Sequence, residues 1–86
     1  MEVQIGQIRK RPDTGQEGVV VAGRFPGPCS LTADEGGWWQ VYWRGASPAE
    51  EHVGNHSDGF LREECPLVDH CSRADLVMYK LKAAGK

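Results

Sequence analysis

The run Gly37-Trp38-Trp39-Gln40-Val41-Tyr42-Trp43-Arg44 decides how this chain is read. Four of the seven aromatic residues fall within six positions here. Odd positions Trp39, Val41 and Trp43 are all apolar, whereas Trp38, Gln40, Tyr42 and Arg44 are mixed. Successive side chains of a strand point to opposite faces, so the pattern predicts a central strand of a small β-barrel with the odd set facing the core. The even set then forms an outer face, with Trp38 and Tyr42 about 13 Å apart at the ordinary rise of a strand. Trp38, Gln40, Tyr42 and Arg44 are the leading candidate binding surface.

Working outward, Val3 to Arg9 reads as a first strand, with a bulge near Gly6 to absorb the phase slip between Ile5 and Ile8. Lys10-Arg11-Pro12-Asp13-Thr14-Gly15 is turn chemistry. Gly18 to Phe25 is a second strand, its three valines suggesting burial, with Val19, Val21 and Phe25 on one face. After a loop and the aromatic strand, Ser47-Pro48-Ala49-Glu50 looks like a helix start. His56 to Arg62, centred on Gly59-Phe60-Leu61, reads as a fourth strand and Arg62 to Cys65 as a 3₁₀ turn. Pro66 to Asp69 is a final edge strand. The last segment reads two ways. Ser72-Arg73-Ala74-Asp75 is a capping box before a helical stripe of Leu76, Val77, Lys80 and Leu81, and the reading leans to that helix. Leu76 to Lys82 also fits a strand with Val77, Tyr79 and Leu81 inward.

Eighty-six residues with a 40% hydrophobic content make one thin-cored domain. No apolar run reaches the length of a membrane span, the N-terminus lacks signal-peptide character, and the three cysteines are an odd number for a disulfide framework. The expectation is a cytoplasmic chain away from membranes. The net charge of −2 hides a segregation: residues 25–71 carry eight acids against Arg44 and Arg62, while both ends are net basic. An acidic middle disfavours a protein-wide nucleic-acid footprint.

The order of short strands, a long loop after the second, and a 3₁₀ turn before a short final strand resembles an SH3-like barrel. The resemblance is carried by Gly6-Gln7-Ile8-Arg9-Lys10, Gly18-Val19-Val20-Val21 and Gly59-Phe60-Leu61 through Leu67. It implies a mainly β barrel of about five strands over residues 1–71, with residues 72–86 packed on it. Such barrels serve peptide binding, nucleic-acid binding, subunit assembly and one unusual enzyme. That enzyme is the plasmid-borne type II dihydrofolate reductase, a tetramer with a central pore lined by Gln-Ile-Tyr. Gln40-Val41-Tyr42 looks similar, with Lys10 as counterpart of the basic pore residue, although the triplet here stands one strand earlier. That resemblance implies an intersubunit site and a nicotinamide cofactor.

Other candidates follow from residue chemistry. His52, His56, Cys65 and Cys71, with His70, are weak metal candidates, because no Cys-x₂-Cys knuckle pairs them. Ser57 beside His56 and Asp58 lacks the spacing of a relay, and Cys29 is a candidate exposed thiol. Arg9, Lys10 and Arg11, with Arg24, Arg44 and the outer aromatics, form a candidate basic patch for single-stranded nucleic acid. The residues call for no cofactor and no catalytic group. The expectation is therefore a non-catalytic binding module, self-associating or holding a protein partner through its aromatic strand face. The alternatives are the intersubunit enzyme and a nucleic-acid binder.

Overall fold

Three consecutive valines at the middle of the longest strand set the architecture. Alternation sends Val20 to one face and Val19 and Val21 to the other, so burying all three requires cover on both sides. The computed structural model, which describes residues 2–26, 36–45 and 49–85, has that form. Val19 and Val20 are fully buried and Val21 is nearly so. Among the described residues the strands are β1 (Gln7–Lys10), β2 (Glu17–Phe25), β3 (Trp38–Trp43), β4 (His52–Ser57) and β5 (Leu67–His70). They form one antiparallel sheet in the order β4-β3-β2-β1-β5, with helix α1 (Asp58–Glu64) between β4 and β5 and helix α2 (Arg73–Ala84) at the end.

Each helix covers one face. Trp39, Val41 and Trp43 pack with Val3, Val20, Leu61 and Cys65 on the α1 side. Ile8, Val19, Val21 and Tyr42 pack with Leu76, Tyr79 and Ala83 of α2 on the other. The odd set of the aromatic strand is thus core, as its alternation predicts. Gly18 makes this possible, because a Cβ there would lie 2.5 Å from the Trp43 ring.

A buried cation ties the first strand to α1. Arg9 is 2% exposed, and its guanidinium donates to the carbonyl oxygens of Leu61 (2.8 Å) and Cys65 (2.9 Å). Those carbonyls belong to the helix C-terminus, where intrahelical partners run out and the helix dipole favours positive charge. Its Nε donates to Gln7 Oε1 at 3.0 Å, and buried Gln7 in turn donates from Nε2 to the Glu2 carbonyl at 2.9 Å.

Several expectations shift. Gly6 is no bulge: Ile5 and Gly6 form a turn, with Gly6 at φ +96°, and the irregularity of β1 lies between Ile8 and Arg9 in its pairing with β5. The fourth strand starts at His52, and Gly59-Phe60-Leu61 belongs to α1. The Ser57 hydroxyl caps that helix by accepting from the Phe60 N–H at 3.2 Å, and Asp58 pairs with Arg62 one turn on at 2.8 Å. Arg62 to Glu64 therefore continue a helix instead of opening a 3₁₀ turn. Gly54 sits inside β4, since a side chain there would meet His56 and Trp43. The final segment is a helix, α2, capped by Ser72, whose hydroxyl accepts from the Asp75 N–H at 3.2 Å; Lys86 lies outside the described residues. Its packed face is Leu76, Tyr79 and Ala83, whereas Val77 and Leu81 face solvent. The helix start expected at Ser47-Pro48 lies outside the described residues, and Ala49-Glu50 form a turn.

Arg9→Ala is expected to lower the unfolding free energy by about 3 kcal/mol, because it removes the guanidinium that the Leu61 and Cys65 carbonyls accept from. Lys10→Ala, on an exposed neighbour, should change it by less than about 0.5 kcal/mol. Urea denaturation compares the two, and equal small losses would contradict the account.

Candidate functional site

The even residues of β3 divide under α2. Tyr42 is fully buried, its ring 5.5 Å from that of Tyr79 and its hydroxyl bonded to Glu51. Burial, then the bond to Glu51, pushes its pKa up to about 12. Tyr42 is thus a core residue and offers nothing to a partner. The cause is Tyr79, which α2 lays directly over it. Arg44 bonds to Tyr79 and pairs with Glu17, and these partners raise its pKa. The surface left by α2 is the other end of the strand.

There Trp38 is half-buried and packs against Phe25, with ring centroids 4.4 Å apart and planes tilted by 31°. Phe25 pairs directly with Trp38 across the sheet, and Ala22 pairs with Gln40. Two register shifts in β2 make this possible, between Val20 and Ala22 and again between Ala22 and Phe25. Beside the aromatic pair lies a cavity of about 300 Å³ lined by Val21, Ala22, Gln40, Lys80 and Ala84. Its floor is the sheet and its wall is the last turns of α2. Gln40 supplies an amide donor and acceptor there, and Lys80 an ammonium.

The Arg9-Lys10-Arg11 run does not form one basic patch. Arg9 is buried as described. Arg11 lies over the Trp43 ring at 5.2 Å and pairs with Asp13 at 3.0 Å, leaving Lys10 as the exposed member. Alternation explains the split, since a strand cannot present consecutive side chains on one face. Arg24 bonds to the Gly36 carbonyl.

The histidine and cysteine candidates are also dispersed. His52 is exposed, whereas His56 is half-buried, stacks on Phe60 at 5.2 Å and accepts a hydrogen bond at Nε2 from the Trp43 indole at 3.0 Å. Cys65 packs on the α1 side and Cys71 on the α2 side. Burial pushes the Cys65 thiol up to about 11, away from the thiolate a metal needs. Among the described residues no group of three or more His, Cys, Asp or Glu converges on a point. Ser57 is the α1 cap, and Asp58 accepts from the Trp39 indole at 3.0 Å, so both have structural work. Cys29 lies outside the described residues.

Sequence reasoning missed two parts of the surface. Phe25 was assigned to a buried strand face, yet it is 36% exposed beside Trp38. Val77, Met78 and Leu81 are exposed on α2, the last at 70%. Their spacing with Ala74 is itself helical, which is the signal that was available. No helix among the described residues is long and apolar enough to cross a membrane. No protein-family model, curated protein or solved structure matches the chain.

His56 carries a pH signature. Burial, with Arg11 and His52 nearby, lowers its pKa from 6.5 to about 4. As pH falls through about 6.5 the unfolded chain takes up a proton that the folded one refuses. The stability from the neutral ring is therefore full above about pH 6.5 and is lost progressively toward about pH 4. His56→Gln still accepts from Trp43 but cannot titrate, so it is expected to flatten stability over that interval in denaturation midpoints. Identical pH slopes in both proteins would contradict the assignment.

Proposed function

We propose that this domain is a non-catalytic, SH3-like protein-interaction module whose contact surface is the Phe25–Trp38 pair with Gln40. The SH3-like reading is supported by the strand order β4-β3-β2-β1-β5 and by the short helix linking β4 to β5. One observation carries the functional part: two large aromatic rings stay partly exposed in contact with each other, next to a concave surface with two polar handles. Aromatic side chains bury large area at low entropic cost, and they dominate the energetics of interfaces. A thin-cored domain that leaves such a pair uncovered gains by docking it.

The geometry gives less support to the other readings. A pore site of the reductase kind needs the Gln-Val-Tyr triplet facing a shared cavity, and Val41 and Tyr42 are fully buried. A nucleic-acid surface needs clustered cations, and the basic run is divided between core, aromatic face and solvent. The contact is with protein, either a second copy or a foreign chain.

Selection from a random-peptide display library on the folded domain tests this. Peptides enriched on the native sequence should lose at least about 1.5 kcal/mol of binding, roughly tenfold, on Trp38→Ala. The same peptides should be unaffected by Lys10→Ala. Enriched peptides that bind Trp38→Ala equally well would refute the assigned surface.

A further inference from the structure

The outward side of α2 has chemistry that Tyr42 burial does not require. A helix that merely covers a sheet needs one apolar stripe, here Leu76, Tyr79 and Ala83. This helix has a second. Ala74, Val77, Met78 and Leu81 recur at helical spacing on the opposite side, and all four are exposed. Lys80 and Ala84 lie between the two stripes and form the wall of the cavity over Ala22 and Gln40. At intervals of three and four, Val77, Lys80, Leu81 and Ala84 are neighbours on the helix surface. Ala84 and Leu81 therefore carry apolar surface from the sheet cavity over the edge of α2, with the Lys80 ammonium beside them.

The mode of occupation follows from the backbone. β2 and β3 are interior strands, each hydrogen-bonded to a neighbour on both sides. An extended peptide could not add itself as a strand at this place, so a partner must engage by inserting side chains. A concave surface flanked by a helix suits a partner that projects apolar residues along one ridge, which is what an amphipathic helix does. The sign of its flank also follows. α2 carries Arg73, Lys80 and Lys82 against Asp75, and Lys80 stands at the cavity itself. A second α2 laid on this surface would bring ammonium groups together, which costs energy in a partly desolvated groove.

Building on the reading of the domain as an interaction module, we infer that the groove between α2 and the Ala22–Gln40 pair receives an acidic amphipathic helix of a partner protein. Its apolar ridge fills the space over Val21, Ala22 and Ala84 and extends to Leu81. A carboxylate beside that ridge pairs with Lys80, and Gln40 bonds a polar group at the ridge margin. The engaged features are one cavity of about 300 Å³ and one edge of a helix, so the complex is assigned to the transient class.

Two synthetic peptides of about 18 residues, long enough to hold helical structure, test the inference. Both carry leucine at helical spacing; one has glutamate on the flanks and the other lysine. Titration into the isotope-labelled domain reads affinity and location together. The glutamate peptide is expected to saturate with a Kd on the order of 10–100 μM, with shifts centred on Ala22, Gln40, Lys80 and Leu81. The lysine peptide should bind at least about tenfold more weakly, and Lys80→Glu should reverse that order. Both side chains are exposed, so Lys80→Glu and Leu81→Lys should leave the fold and its circular dichroism unchanged. Equal binding of the two peptides, no saturable binding, or shifts confined to the edge strands would each overturn the inference. Library peptides that depend on Trp38 but lack helical acidic character would overturn it too, while leaving the interaction-module reading intact.

Discussion

The position of Arg9 is the constraint on which the rest of the structure turns. A guanidinium cannot be removed from water without partners, and here the partners come from segments more than fifty residues apart in sequence. The Leu61 and Cys65 carbonyls lie at the end of α1, so satisfying Arg9 fixes where α1 stops and how it lies against β1. The next strand, β5, then begins two residues beyond Cys65 and pairs with β1 itself. Gln7 and the Glu2 carbonyl bring the N-terminal segment to the same point. One buried cation thus joins the first strand, the first helix and the last strand of the sheet. Arg suits this better than Lys, because its planar fork addresses several acceptors at fixed angles.

The second organising fact is that a sheet buried on both faces leaves little of itself for a partner. α1 and Val3 close one side over Trp39 and Trp43, whose indole N–H groups are satisfied internally by Asp58 and His56. α2 closes the other over Tyr42. The α2 residues packed on the sheet meet Ile8, Val19, Val21 and Tyr42, so among the described residues of this face the proposed contact surface is what that helix leaves open at the Phe25–Trp38 end, together with its own outer side. The location of the candidate surface is therefore a consequence of core packing.

How much of this was legible in the sequence depended on the range of the interaction. Trp39, Val41 and Trp43 announced themselves as core through strict alternation, and the Ser72 cap announced α2. Val19 and Val21 were placed on a common face correctly. Tyr42 was misplaced outward because alternation says which residues share a face but not whether a helix covers it. Arg9 was misread because a basic triplet looks like surface, and its acceptors are backbone carbonyls that no sequence displays. The fourth strand was displaced by several residues because Gly54-Asn55 resembles a break, while the real stop signal was the cap at Ser57. Phe25 was grouped with the buried valines, and Val77 and Leu81 with Leu76 in one helical stripe, for a related reason, since apolar residues were assigned to the core by default. Surplus apolar spacing beyond one buried stripe is the more useful sign.

The central claim is that Trp38 and Phe25 stay partly exposed in the isolated chain while the other two tryptophans are buried. Hydroxyl-radical footprinting of the dilute protein, read residue by residue by mass spectrometry, tests it most directly. The account predicts ready oxidation of Trp38 and Phe25, with Trp39 and Trp43 protected. Protection of Trp38 equal to that of Trp39 would mean the chain covers its own aromatic pair, and the proposed contact surface would not exist.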